Sequence, residues 1–257
     1  MARLLVLSAL ALIIFGGCTN DDDMMNSATP GTYYGEQTAF GTGTIQSWTI
    51  IGGSGAPTSM GVTFSEAAYS SLERDSDMMT MLMFPAISGS GGGMMSMMNY
   101  MPFDHVSVDW VPGGDPEPPY DSAHLDCHFY VTSMSKHMGM MGGRDSMMMD
   151  MKYLPKGYMQ DSMSEEGMGV HCMDTSAKEF HGGGFDMSFM YGVYHGSLAF
   201  METMCATKVL DAKTSMSRDI KQPTAFATSG YYPTKYNVTY NATAKTYSIE
   251  ITDFILR

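Results

Sequence analysis

His124-Leu125-Asp126-Cys127-His128-Phe129-Tyr130 is the stretch on which the reading of this chain turns. Its residue types suit a pleated strand, and on a strand alternate side chains share a face. His124, Asp126 and His128 therefore fall on one face, and Leu125, Cys127 and Phe129 on the other. Three titratable groups in a row inside an aromatic strand need partners wherever they are buried. A strand rises ~3.3 Å per residue, which puts the two histidines about 13 Å apart and Asp126 about 6.6 Å from either. Metal–nitrogen bonds are only ~2 Å long. Two neighbours of this row can thus share an ion, and the row as a whole cannot.

Strand signals recur on both sides of it. Thr44 to Ile51 reads as a strand, Gly52-Gly53-Ser54-Gly55-Ala56-Pro57 as a turn and Ser59 to Phe64 as the return. Ser65 suits an N-cap for a short helix from Glu66 to about Arg74. Phe103 to Trp110 alternates, and the run from Val111 to Pro119 is a rigid irregular connection. Met134 to Glu166 reads mostly as loop with one short helix. Gly169 to Met173 and Phe185 to Tyr194 read as extended. Tyr194-His195-Gly196-Ser197 is a hairpin turn, returning through Leu198 to Met204. Tyr236-Val238-Tyr240 and Tyr247-Ile249-Ile251 form a last hairpin. The expected fold is mainly β: one domain of antiparallel strands and hairpins with one or two short helices.

The front of the chain has a different character. Arg3 precedes an uncharged run from Leu4 to Phe15, then Gly16-Gly17-Cys18. This is the pattern of an export signal, and a cysteine directly after the small pair points to lipoprotein processing. Residues 1–17 are expected to be a signal peptide, with Cys18 lipidated. Residues 18–30, with Asp21-Asp22-Asp23, form an acidic tether, and 31–257 the folded domain. The expected place is the bacterial cell envelope, outside the cytoplasm and lipid-anchored, with the outer membrane or cell surface favoured. The lipid is the expected contact with the membrane.

The chain has 27 acidic residues against 14 basic, a net charge of −13. That argues against a nucleic-acid partner, which demands basic surface, and makes a metal cation the natural one. A homo-oligomer stays open. In an oxidising envelope, Cys127, Cys172 and Cys205 suggest one disulfide and one free thiol. No C-x-x-C and no G-x-S-x-G is present.

Several blocks share an order and spacing: Phe103-Asp104-His105-Val106 with Asp109-Trp110-Val111-Pro112, the strand at 124–130, Met168-Gly169-Val170-His171, Tyr191-Gly192-Val193-Tyr194, Phe200-Met201-Glu202-Thr203-Met204, and Tyr231-Tyr232-Pro233-Thr234-Lys235-Tyr236. Over roughly residues 31 to 255 they resemble a family of secreted bacterial proteins defined only as a domain of unknown function. Its hallmarks are a W-x-P-x-G-H-x-P stretch followed by H-x-D-x-H-F-Y. The resemblance implies an extracytoplasmic β-rich domain with a shared His/Asp cluster, and no established activity. Here the G-H-x-P segment reads Gly114-Asp115-Pro116-Glu117-Pro118, without its His. The family's E-P-M reads Glu202-Thr203-Met204.

The expected metal ligands are therefore two neighbours among His124, Asp126 and His128, together with His171, and with Glu202 or His105 as a further ligand. Nitrogen and oxygen donors suit one divalent ion, zinc first and copper second. If His128 and His171 meet, Cys127 and Cys172 point the other way and could form a disulfide between adjoining strands. The competing reading is a hydrogen-bonded His–Asp–His network that only pins the sheet.

Methionine is the unusual residue: 30 in 257, against seven leucines after Cys18. Dense runs lie at Met78 to Met83, Met94 to Met98, His137 to Met141 and Met147 to Met151. Thioethers are soft ligands that select Cu(I), and His137, Met138, Met140 and Met141 form the best such set. The plainer explanation is Met standing in for Leu in the core. Four functions follow: an envelope lipoprotein binding a metal through the His/Asp cluster, a metal-assisted hydrolase or hydratase using the same cluster, a Met-rich copper or silver buffer, or a structural envelope protein with no metal.

Overall fold

The computed structural model of the protein describes residues 28–88, 94–95 and 101–257. Cys18, the expected signal peptide and nearly all of the expected tether lie outside the described residues, as does most of the Met94 to Met98 run. The principal strands are β1 (Gly31–Phe40), β2 (Gly43–Ile51), β3 (Pro57–Ser65), β4 (Met78–Met83), β5 (His105–Val111), β6 (His124–Tyr130), β7 (Tyr158–Gln160), β8 (Val170–Asp174), β9 (Met187–Tyr194), β10 (Ser197–Ala206), β11 (Met216–Asp219), β12 (Lys235–Asn241) and β13 (Thr246–Thr252). They build a six-stranded sheet in the order β1-β2-β3-β13-β12-β11 and a seven-stranded sheet in the order β7-β8-β9-β10-β6-β5-β4, antiparallel throughout. The protein is a β-rich single domain, as the sequence pattern implies, and its sheets do not close into a barrel.

Alternation builds the core. Met60, Val62 and Phe64 of β3 and Ile249 and Ile251 of β13 face inward from the smaller sheet. Val106, Val108 and Trp110 of β5, Leu125, Cys127 and Phe129 of β6, and Met201 and Cys205 of β10 face them from the larger one. His195 (φ 49) and Gly196 (φ 73) both take positive φ between Tyr194 and Ser197, the two-residue turn that matches strand twist.

Helix is confined to short pieces: α1 (Glu66–Ser70), α2 (Met134–His137) and α3 (Thr207–Asp211). Ser65 caps α1 as expected, its Oγ accepting from Ala68 N–H at 3.0 Å. The helix stops at Ser70, not near Arg74, because the Ser71 N–H bonds back to Ala68 and the polar run beyond turns toward β4.

The expected Cys127–Cys172 disulfide does not exist: Cys127, Cys172 and Cys205 are all buried free thiols. Cys127 on β6 and Cys172 on β8 do face inward, but β10 and β9 stand between their strands. Three inter-strand spacings of ~4.8 Å separate them, about twice the ~7 Å a disulfide tolerates between Cα atoms.

Candidate metal centre

The outer face of the seven-stranded sheet carries the titratable side chains. Register sets His105 of β5 opposite Tyr130 of β6, Ser107 opposite His128, and Asp109 opposite Asp126. On the other side of β6, β10 places Glu202 opposite His128 and Met204 opposite Asp126. His128 and Glu202 are thus cross-strand neighbours on one face. His171 comes from β8, two strands from β10 on the side away from β6, and reaches over β9 at Gly192, its register partner. Gly192 has no side chain to block that reach. The Phe200 ring occupies the freed space, 4.8 Å from the His128 ring and 5.4 Å from the His171 ring between centroids.

His128, His171 and Glu202 each offer one ligand atom within 4.8 Å of the other two, and this buried group could hold a metal ion. Glu202 sits at its centre. Its Oε1 lies 3.5 Å from His128 Nε2, and its Oε2 lies 3.4 Å from His171 Nε2. Ligands on a tetrahedral zinc ion with bonds of ~2.1 Å stand about 3.4 Å apart. The rear nitrogens are held by other carboxylates. His128 Nδ1 lies 2.9 Å from Asp109 Oδ2, and His171 Nδ1 lies 3.4 Å from Glu165 Oε1. Ser107 Oγ donates to the same Asp109 oxygen at 2.9 Å. A carboxylate behind each imidazole fixes its orientation and makes the forward nitrogen a better ligand.

His128 Nε2 and Glu202 Oε2 are buried without a hydrogen-bond partner among the described residues, as are Asp109 Oδ1, Asp126 Oδ1 and His124 Nε2. Buried polar atoms are normally satisfied, and each exception needs a reason. Here they gather on one patch of one sheet face.

Electrostatics in the absence of an ion run against ligation and show what an ion would replace. Burial alone would lower the His128 pKa, but Glu202 and Asp109 override it and lift the ring to about 9. His171 is likewise raised well above the usual imidazole range, burial being outweighed by Glu165 and Glu202. Burial pushes the Glu202 carboxyl up, and the two histidines bring it below the ordinary value. Without metal the rings are imidazolium ions around a carboxylate. A bound cation would take the place of their protons, held by His128, His171 and Glu202.

The structure divides the remaining expected ligands. His124 and Asp126 pair with each other, His124 Nε2 lying 3.2 Å from Asp126 Oδ2 and 3.6 Å from Asp115 Oδ1. Burial lifts the Asp126 carboxyl to about 6 against the opposing pull of His124. So only one member of the row joins the trio, not two: His124 and Asp126 flank it. His105 does not join either. Its Nδ1 contacts Asp104 Oδ2 at 2.9 Å and its Nε2 contacts His137 Nδ1 at 2.7 Å, at the other end of the face.

Asp109, Glu165, Ser107 and Asp115 were not among the expected site residues. Asp109 had a visible signal, since His105, Ser107 and Asp109 alternate on one strand as His124, Asp126 and His128 do. Glu165 lies outside the principal strands and gave none. Asp115 lies beside His124. No family model, no curated protein and no solved structure matches this chain.

Proposed function

We propose that this protein binds one divalent metal ion, zinc in preference to copper, through His128, His171 and Glu202, and that it does so as a lipid-anchored protein of the bacterial cell envelope. The observation that carries the metal reading is the pair of carboxylate-backed imidazoles aimed at one buried carboxylate, with unsatisfied atoms between them. A network serving only to pin the sheet would satisfy those atoms. Two nitrogens and one oxygen suit zinc, and the chain's net charge of −13 favours capture of cations. The envelope reading rests on the sequence around Cys18 and on the resemblance to secreted proteins.

Binding is favoured over hydrolysis by burial. His128 and Glu202 are 1 % and 2 % exposed, and the His171 side chain alone reaches partway to solvent at 17 %. Three protein ligands leave room for a water, but a substrate would have to pass the covering loops to reach it.

Elemental analysis of the purified chain beside His128→Ala and His171→Ala tests the proposal. The expected result is close to one zinc per chain, lost in both variants while the β-sheet circular dichroism persists. No metal in the parent after equilibration with excess zinc overturns it, as does zinc retained in both variants.

A further inference from the structure

Beyond Tyr130, on the same sheet face, lies a cavity of about 210 Å³ lined by Met79, Met81, His137, Met138, Met140 and Met168, with Glu166 and Gly167 also on its wall. Its methionines come from three separate places. Met79 and Met81 point the same way from the edge strand β4, Met138 and Met140 follow α2, and Met168 belongs to the turn before β8. Two of them do no core work: Met79 is 56 % and Met138 65 % exposed, whereas Met140 is buried. Leucine-like packing does not explain exposed thioethers gathered around a hollow.

The histidine supplies an independent pointer to a ligand. Asp104 Oδ2 can only accept, so His105 Nδ1 donates to it. In the uncharged tautomer that this contact sets, the His105 Nε2 is bare. That nitrogen must then accept from His137 Nδ1–H across 2.7 Å. The remaining His137 nitrogen, Nε2, is therefore a bare lone pair with no hydrogen-bond partner among the described residues, lying against Gly167 of the cavity wall. Tyr130 stacks on both rings, at 4.6 Å from His105 and 3.9 Å from His137, and locks the arrangement. A carboxylate, a relaying imidazole and a forward lone pair repeat the way proteins orient a metal-ligating histidine.

We propose that this cavity is a second metal site, which takes a soft monovalent cation, Cu(I) or Ag(I), through thioether sulfurs and His137 Nε2. Neutral sulfurs and one imidazole are a poor set for zinc, magnesium or calcium and a good one for Cu(I). The site shares no ligand with His128, His171 and Glu202 and does not depend on their binding zinc. Met141, grouped with it by sequence, is excluded: it is 67 % exposed, lies off the cavity wall, and its backbone N–H donates to the Tyr194 hydroxyl.

The test is anaerobic titration of the purified full chain with Cu(I) against a chromophoric Cu(I) chelator, followed by X-ray absorption at the copper edge. The probe is Cu(I) itself. The expected result is one Cu(I) per chain bound by sulfur with one nitrogen. Met81→Leu/Met140→Leu/Met168→Leu, which conserves volume, should bind at least about 100-fold more weakly, equivalent to ~2.7 kcal/mol, with unchanged circular dichroism and unchanged zinc content. His137→Ala should remove the nitrogen from the absorption spectrum. His128→Ala/His171→Ala should lose zinc and keep Cu(I), which separates failure of this site from failure of the first. Cu(I) affinity unchanged in the triple Leu variant overturns the proposal by moving the ion to another methionine run. No copper retained against the chelator, or a shell without sulfur, overturns it as well.

Discussion

The two sheets share one core but differ on their outer faces. In the six-stranded sheet the pattern alternates: β13 runs intermediate, buried, intermediate, buried to its end, and Thr44, Thr63 and Thr246 line a shallow open groove on its outside. In the seven-stranded sheet β6 is buried at every position and β5 and β9 at all but the last. Antiparallel sheets commonly leave one face to water, and the smaller sheet does. The larger sheet has its outer face covered by the connections that follow β5, β6 and β8, which bring Tyr120, Met140 and Phe185 over it. Burying an ionisable group is costly unless it is paired. A face that encloses His105, His124, His128, Asp109, Asp126 and Glu202 under loops therefore carries a cost that the other face avoids. The difference sets the proposed metal site on one sheet and leaves the other as scaffold.

Removing the carboxylate at the centre should give the largest contrast between the two faces. Glu202→Ala leaves His128 and His171 buried without the group between them. Truncating one member of a buried ion pair costs about 3–5 kcal/mol, and that loss is expected in urea unfolding of the metal-free protein. Thr246→Ala on the smaller sheet should change stability by no more than about 0.5 kcal/mol. Equal effects would mean that the buried network has no special role.

Alkaline pH should act on the same face with the next largest effect. His128 and His124 are each lifted to about 9 in the folded chain, burial opposing and their carboxylates prevailing. An unfolded imidazole titrates near ~6.5. The folded state therefore holds protons that the unfolded state releases, and stability falls as pH rises through that interval. Its contribution is complete below about 6.5 and lost above about 9, on the order of a few kcal/mol for two such groups. Asp126, at about 6, is only mostly ionised as the window opens, whereas His137, at about 4, has finished titrating, and the raised His171 adds to the same fall. Denaturation at pH 6.5, 8 and 9.5 without metal measures the fall. Added zinc should offset it, because ligation needs the rings unprotonated. A flat profile without metal would show that the carboxylates do not hold these protons.

The hairpins and the two-faced strand at 124–130 were legible because a period of two and a His-Gly turn are local signals. Strands β1, β4 and β11 were not. β1 is an exposed edge strand without apolar alternation, and β4 is a methionine run in which Leu82 alone is buried. Their strand state is set by pairing to β2 and β5, which a local pattern does not carry. The site was half legible for the same reason. Spacing along β6 set His124 and His128 far apart, and the structure places them in separate groups, yet the choice of His128 over Asp126 depends on which strands lie beside β6. Strand order also decides the cysteines: facing the same way was readable, and the three-strand separation was not.

Gly192 tests that non-local geometry. A Cβ there would fall within the van der Waals envelope of the Phe200 ring, the ring that lies beside both His128 and His171. Gly192→Ala should cost about 1–3 kcal/mol by overpacking and lower zinc affinity at the same time, measured by chelator competition. Gly113 has nothing within 4 Å of a Cβ position, so Gly113→Ala should leave zinc binding unchanged. Lost stability with unaltered zinc affinity would separate the Phe200 ring from the site.

The smallest expected effect lies on the scaffold sheet, where polar side chains also form a chain of bonds. Trp48 Nε1 donates to Thr63 Oγ1 at 2.9 Å, and Thr63 Oγ1 meets Ser248 Oγ at 2.7 Å. These groups are half-buried and can turn to water when a partner is lost. Thr63→Val is therefore expected to cost about 1 kcal/mol or less, the net worth of an ordinary hydrogen bond, and to leave zinc binding unaltered. Ser107→Ala removes a comparable hydroxyl from the buried face, where Asp109 would lose its 2.9 Å donor. Its cost should be the larger, about 1–3 kcal/mol, and should shrink when zinc fills the site, because a ligated His128 holds Asp109 more firmly. Unfolding of both variants with and without zinc reads the contrast directly. If the two losses match and neither responds to zinc, the division between a functional face and a scaffold face fails at its most local level.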